Sequence, residues 1–272
     1  RVVLDVSDDL IGFPEVPLRD AASGMVGRTA GLLELPMTLD GDGWRLAAAT
    51  GIHQARSTRW WRNDCDDFEE LSQDHAGIVK MAVVGPWTMA ASVRASHPTM
   101  NHVLADPGAC RELGQALAEA AGELVGQLSQ RLGREVWLQI DEPMIGGVLR
   151  GEISGFSGLH HYRVPDDDEV LDAWRGMVDA GHAAGAGQVW LGLLFGEEAG
   201  EIVALALDLG GQAGAGRGGD RVDFLDLDPG FLVHPKILRT VWSPRTSASM
   251  SDASLCAAKL ARAVAGTPSN SI

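Results

Sequence analysis

The strongest constraint on the fold is an alternation between short apolar runs and longer amphipathic segments. The apolar runs are rich in β-branched and aromatic residues and have the length of buried strands. They are "IVKMAVV" (78–84), "VWLQI" (136–140), "QVWLGLLF" (188–195), "RVDFLDL" (221–227) and "ILRTVW" (237–242). Helical periodicity lies at about 106–132, 167–184, 199–209 and 251–265. This order predicts an α/β protein with parallel strands, right-handed crossovers and a sheet covered on both sides.

Two architectures satisfy this alternation, a barrel and a doubly wound sheet. No Gly-x-Gly-x-x-Gly motif follows an early strand, and the glycine-rich segment "GQAGAGRGGD" (211–220) precedes a strand instead of opening a helix. We interpret that segment as a flexible loop and not as a phosphate cradle. The sequence therefore favours a (β/α)8 TIM-type barrel in a single domain over residues 1–272. Six strands are visible, counting the one that ends at "FPEVP" (13–17), so the barrel is expected to be incomplete at both ends, with its edges covered by substitute elements or a partner chain.

Composition restricts the partners. The chain of 272 residues has a formal net charge of -15, from 37 acidic and 22 basic residues. Such a surface repels polyanions, so we expect neither nucleic acid nor an anionic membrane as a partner. The three cysteines are widely spaced and form no CxxC pair, which is typical of a reducing compartment. We therefore expect a cytoplasmic protein that acts on a small molecule, and a homo-oligomer is compatible with the sequence.

Candidate site residues follow the strands, because ligands of parallel α/β folds bind beyond the carboxyl ends of the strands. In chain order they are Glu15 in "FPEVP", Gly85, Trp87, Thr88 and Arg94 in "GPWTMAASVR", Asp141 and Glu142 in "QIDEP", and Arg245 in "VWSPR". Successive side chains of a strand point to opposite faces, so at most one of the two adjacent carboxylates enters the site.

Each candidate also has a structural interpretation. A buried Asp141 can hold an ammonium group or act as an acid or base. From the spacing alone, it is an equally good hypothesis that Asp141 caps a turn and Glu142 pairs with a surface cation. Trp87 either stacks on a flat ligand or packs in the core. His160 and His161 are interpreted as loop residues, since a metal site needs further ligands nearby.

Three of these motifs together resemble a known family. "GPWTMAASVR" (85–94), "QIDEP" (139–143) and "SPR" (243–245), in this order, are similar to the catalytic domain of cobalamin-independent methionine synthase. A short single-domain branch of the family also has a segment similar to "MVGRTAGLLELP" (25–36). The resemblance implies a (β/α)8 barrel that transfers a methyl group from methyltetrahydrofolate to the thiol of homocysteine, which a zinc ion activates.

The resemblance also implies roles for individual residues. Asp141 corresponds to the family aspartate that contacts the amino acid substrate, and it is the expected catalytic residue. Glu15 corresponds to the glutamate that ends the second strand of the family. The remaining residues with an implied role in substrate binding are Gly85, Trp87, Thr88, Glu142 and Arg245.

The zinc ligands of the family have no counterparts in this sequence. Family members carry a histidine and a cysteine at the end of the fifth strand, where this chain has Leu193, Leu194 and Phe195. A final "GTPSNSI" replaces the cysteine-glycine turn near the eighth strand. No cofactor is therefore expected, although zinc is typical of the family, and no residue is assigned to a metal.

Three functions follow from these observations. The first is a methyltransferase of the methionine synthase type, acting on homocysteine or a related thiol and a methyl donor. The alternative is a non-catalytic or regulatory barrel that keeps only the ligand cleft. A related barrel decarboxylase acting on porphyrin carboxylates would need several arginines at the mouth. Only Arg94 and Arg245 are found there, so this function is the least favoured.

Overall fold

The strands and helices below come from a computed structural model that describes residues 10–96, 101–155 and 157–193, with the backbone of 212–214 and 224–226. The strands in chain order are β1 (Leu10–Gly12), β2 (Met37–Asp40), β3 (Gly43–Leu46), β4 (Ile78–Val84), β5 (Val136–Glu142), β6 (Gln188–Leu193), β7 (Gln212–Gly214) and β8 (Phe224–Asp226). The helices are α1 (Met25–Ala30), α2 (Ile52–Leu71), α3 (Pro86–Ser92), α4 (Pro107–Leu132), α5 (Ile145–Leu149) and α6 (Asp167–Ala183). This element order confirms the predicted α/β class.

The main sheet has six strands in the order β1, β4, β5, β6, β8, β7. The first four strands run parallel to their neighbours, as the alternation of strands and helices predicts. Each connection between them contains a helix, because parallel strands require a crossover. Within the described residues the sheet is not closed into a barrel.

The last two described strands correct the sequence predictions. The run at 221–227 was expected to be parallel, yet β8 pairs antiparallel with β6. The glycine-rich segment at 211–220 was expected to be a loop, yet β7 lies inside it and pairs antiparallel with β8. The connection from β7 to β8 is too short for a parallel crossover. An apolar pattern predicts that a segment forms a strand. The direction of that strand depends on the connection that precedes it.

One face of the sheet is covered by helices. The side chains on this face are buried and apolar: Val79, Met81, Val83, Val136, Leu138, Ile140, Val189 and Leu191. Gly181 of α6 packs on Val189 and Leu138 of this face. Right-handed crossovers between strands that neighbour in chain order place α2, α4 and α6 on the same side.

The opposite face carries half-buried polar and aromatic side chains. They are Lys80, Trp137, Gln139, Asp141, Gln188 and Trp190. The rings of Trp137 and Trp190 are 5.1 Å apart, centre to centre. The prediction of helices on both sides of the sheet is therefore wrong for the described residues, where the helices that connect its parallel strands cover one face.

Helix boundaries follow the capping residues. The Asp106 carboxylate accepts hydrogen bonds from two backbone amides at the start of α4, and Gly133 ends that helix with a φ of 60°. Asp166 and Glu169 form a capping box at the start of α6. Both helices confirm the predicted ones at 106–132 and 167–184. The segments predicted at 199–209, 237–242 and 251–265 lie outside the described residues.

In the part of the chain that the structure describes, no helix has the length and apolar character needed to cross a bilayer.

Candidate functional site

A concavity of about 210 Å³ lies at the carboxyl ends of β1, β4 and β5. Its lining residues are Glu15, Met25, Arg28, Thr29, Ala82, Val83, Val84 and Asp141. Glu15 follows β1, and Asp141 is the next-to-last residue of β5. The structure therefore brings two of the residues predicted from the sequence, Glu15 and Asp141, to the same concavity.

Asp141 is the end of a chain of hydrogen bonds on the polar face of the sheet. The Gln139 side-chain amide donates to Asp141 Oδ1 at 2.6 Å. Lys80 Nζ in turn donates to Gln139 Oε1 at 2.7 Å. The Lys80 ammonium also lies 5.7 Å from the centre of the Trp190 ring, a distance typical of a cation-π contact. These contacts fix the direction of the Asp141 carboxylate.

The surroundings of Asp141 and Lys80 shift the pKa of each group so that its neutral form is favoured. Burial raises the pKa of Asp141, and the nearby Glu15 carboxylate raises it further, against the opposing effects of Gln139 and Lys80. Burial also lowers the pKa of Lys80, although Asp141 and Glu15 oppose this shift. A buried carboxylate with a second carboxylate nearby gains from an added cation. The concavity is therefore suited to a ligand that brings an ammonium group.

Glu142 does not lie where the sequence predicted. We expected it to contact substrate or to pair with a surface cation, but it is the last residue of β5 and is 0% exposed. Its Oε1 accepts hydrogen bonds from the Trp87 backbone amide at 2.9 Å and the Trp174 indole at 3.1 Å. Its Oε2 accepts from the Thr88 amide at 2.7 Å. Because strand side chains alternate, Glu142 faces the helices, where it joins β5 to α3 and α6.

Three further predicted substrate-binding residues surround Glu142 and do not line the concavity. A Cβ atom at Gly85 would collide with the Glu142 carboxylate, so this position requires glycine. Thr88 is buried and accepts a hydrogen bond from the Met144 amide at 3.1 Å. Trp87 is also buried, as its packing interpretation predicts. These residues therefore pack around Glu142 on the helix-covered side of the sheet, next to the strand ends that form the concavity.

The arginines predicted at the mouth have other positions. Arg94 is buried and donates to the Asp40 carboxylate, with a longer contact of 3.5 Å to Asp42. It therefore ties the hairpin of β2 and β3 to the segment after α3. Arg245 lies outside the described residues. The decarboxylase hypothesis, which requires arginines at the mouth, gains no support from Arg94.

The residues that the structure describes do not fit the zinc ion of the resembled family. Leu193, at the end of β6, is 2% exposed and apolar. Leu194 and Phe195 lie outside the described residues, and their hydrocarbon side chains hold no metal. Across the described ranges, no group of three or more His, Cys, Asp or Glu side chains is placed to hold a metal ion. His160 instead lies edge-on to the Tyr162 ring, 5.9 Å away between ring centres.

Three residues of the site were missed by the sequence reasoning, namely Lys80, Gln139 and Arg28. The first two interrupt apolar strands, "IVKMAVV" and "VWLQI". A lysine inside such a run is a usable signal, because lysine is almost never buried without a partner. Arg28 lies in a short helical segment, and no comparable sequence signal marks it.

No family model matches this chain, and neither a curated protein nor a solved structure matches it at a significant level.

Proposed function

We propose that this chain is a methyltransferase of the cobalamin-independent methionine synthase type, which binds homocysteine or a related amino thiol in the concavity. The observation that carries the proposal is the convergence of Glu15 and Asp141 on that concavity. An ammonium group between the two carboxylates relieves their mutual repulsion, which contributes to the raised pKa of Asp141. A substrate amino group is therefore the best-matched occupant.

We further propose that the chain is a single domain over residues 1–272 with a (β/α)8 TIM-type barrel fold that is incomplete at both ends. The antiparallel strands β8 and β7 would then be the substitute elements that cover one edge. The four parallel strands follow one another in the sheet in the same order as in the chain. A doubly wound sheet would reverse its strand order at a switch point. In such a barrel the half-buried face with Lys80, Gln139, Trp137 and Trp190 would form the interior. These features support a singly wound arrangement.

We also propose that the chain acts on a small-molecule substrate in the cytoplasm. In this proposal neither nucleic acid nor a membrane is a partner. The net charge of -15 opposes polyanionic partners. Cys65 and Cys110 are buried free thiols, which is compatible with a reducing compartment. A homo-oligomer stays a prediction.

Leu193 favours a second function, in which the barrel binds the ligand but does not catalyse methyl transfer. An unassisted thiol has a pKa of roughly 8.5 and stays largely protonated near neutral pH. In the resembled family a zinc ion binds the thiol and stabilises its thiolate form. Leu193 lies where this family has zinc ligands. The two functions share the concavity and differ only in the methyl transfer.

Two measurements on the purified chain test the proposal. Calorimetry with L-homocysteine reports binding, and a methionine assay with methyltetrahydrofolate, with and without added zinc, reports turnover. Binding with methionine formation supports the methyltransferase. Binding without turnover supports the non-catalytic alternative. If homocysteine does not bind, both functions are wrong.

A further inference from the structure

We propose that Arg28 binds the carboxylate of the ligand, so that the concavity selects zwitterionic α-amino acids over simple amines. This inference rests on the proposed function, because it assumes that the ligand ammonium group lies at Glu15 and Asp141. None of the motifs that carry the family resemblance assigns a role to Arg28.

The position of Arg28 allows this role. It lies in the last turn of α1 and lines the same concavity as Glu15 and Asp141. Its Nη1 is 3.3 Å from Glu15 Oε1. The Glu15 side chain is 51% exposed, whereas that of Arg28 is only 13% exposed. An ion pair with one partner this exposed is weak, so a ligand carboxylate can replace Glu15 at the guanidinium group.

Arg28 is held in place before any ligand binds. Its guanidinium lies 4.4 Å from the centre of the Trp61 ring. Its backbone carbonyl accepts a hydrogen bond from the Trp61 indole at 2.7 Å. The neighbouring Thr29 hydroxyl accepts from the Val84 amide at 2.9 Å, which attaches α1 to the end of β4. A preorganised arginine loses less conformational entropy on binding.

The charges of the concavity match a zwitterion. Burial lowers the pKa of Arg28, against the opposing effects of Glu15 and Asp64, so this guanidinium is poorly hydrated and favours an anionic partner. Nearby Arg19 is already paired with Asp64 through two hydrogen bonds of 2.8 and 3.2 Å. A ligand that inserts between Glu15 and Arg28 replaces one ion pair with two.

The spacing of the charged groups favours a small ligand. Arg28 Nη1 lies 3.3 Å from Glu15 Oε1, so the cation and the carboxylate that the ligand would contact are close together. A single amino acid carries an ammonium and a carboxylate on one carbon, and it therefore presents both charges within a short distance.

The test compares two ligands that differ only in the carboxylate, L-homocysteine and its decarboxylated analogue aminopropanethiol. We expect the wild-type chain to bind homocysteine about tenfold or more tightly than the analogue, the range for a charge-assisted contact. In Arg28→Gln this preference is lost, because homocysteine loses the contact to its carboxylate, whereas the amine analogue loses no contact and no longer competes with the guanidinium for Glu15. Arg175→Gln is the matched control, since Arg175 is exposed on α6, and it keeps the preference.

The outcomes separate this inference from the proposed function. Equal affinity of the wild-type chain for both thiols, with both weakened by Asp141→Asn, overturns the role of Arg28 and leaves the amine site intact. If the wild-type chain binds neither thiol, both proposals fail. If Arg28→Gln does not fold, equal affinity of the wild-type chain for the two ligands still overturns the inference.

Discussion

At the scale of single residues, Asp141 and Glu142 show how one step along a strand separates two roles. Asp141 faces the concavity and is hydrogen-bonded to Gln139. Glu142 faces the helices and is enclosed by the first turn of α3 and by Trp174. The sequence predicts that only one of the two carboxylates enters the site, but not which one, because this depends on which face the helices cover. Burial raises the pKa of both groups.

The raised pKa of Asp141 predicts a pH-dependent effect of Asp141→Asn. Well below pH about 4 the carboxyl is protonated in the folded and the unfolded chain, and the variant resembles the wild type. As pH rises above the unfolded-state pKa of roughly 3.9, the unfolded chain ionises more readily than the folded chain, so the wild type loses stability until the pH has passed the raised pKa of the folded state. The variant has no ionisable group at this position. The difference in unfolding free energy, variant minus wild type, should therefore grow between pH about 4 and pH about 7.

Urea unfolding at the two pH values measures this difference. Asp172→Asn is the control, because that side chain is 77% exposed and its substitution should show little change with pH. A constant or shrinking difference for Asp141→Asn would contradict the buried position of its carboxylate.

At the scale of elements, the sequence predicts the long segments well. The helix at 106–132 has regularly spaced leucines and an aspartate before a proline, and strand β4 has the predicted bounds. The hairpin of β2 and β3 was not predicted, although its "DGDG" turn (40–43) is a typical hairpin signal. The antiparallel direction of β8 could not be predicted, because strand pairing depends on contacts between distant segments.

The junction of β5 and α3 supplies the prediction at this scale. Gly85→Ala should destabilise the chain by about 1–3 kcal/mol, because the added methyl group must displace the Glu142 carboxylate in a packed interior. Gly126→Ala is the matched control. No atom lies within 4 Å of a Cβ at Gly126 in α4, so this change should be neutral or stabilise by up to about 1 kcal/mol. Thermal and urea unfolding measure both. Equal stability of Gly85→Ala and wild type would show that Glu142 is not held as described.

At the scale of the whole molecule, the parallel strands and the side on which the helices lie are the features that position the site. Consecutive parallel strands bring Glu15 and Asp141 to one edge of the sheet. The alternation of elements predicts this edge, since carboxyl ends of parallel strands meet there. If the sheet closes into a barrel, as we propose, its polar face becomes the interior of the barrel.

Closure predicts low solvent access on the polar face. Gln188 lies on this face at the start of β6, where its side chain accepts a hydrogen bond from the Trp190 indole. The thiol introduced by Gln188→Cys should react with maleimide much more slowly than the one introduced by Gln73→Cys, which lies at an exposed position after α2. Similar labelling rates at the two positions, in variants that remain folded, would contradict a closed barrel.

We propose that Asp141 binds the amino group of a small ligand, and calorimetry with L-homocysteine can test this claim. Asp141→Asn should weaken binding by about tenfold or more, because one charge-assisted contact to the ammonium is lost. Its melting temperature should not fall, since asparagine can still accept the hydrogen bond from Gln139. Asp172→Asn should bind as the wild type does. Unchanged affinity in Asp141→Asn, or the same loss in Asp172→Asn, would contradict the claim.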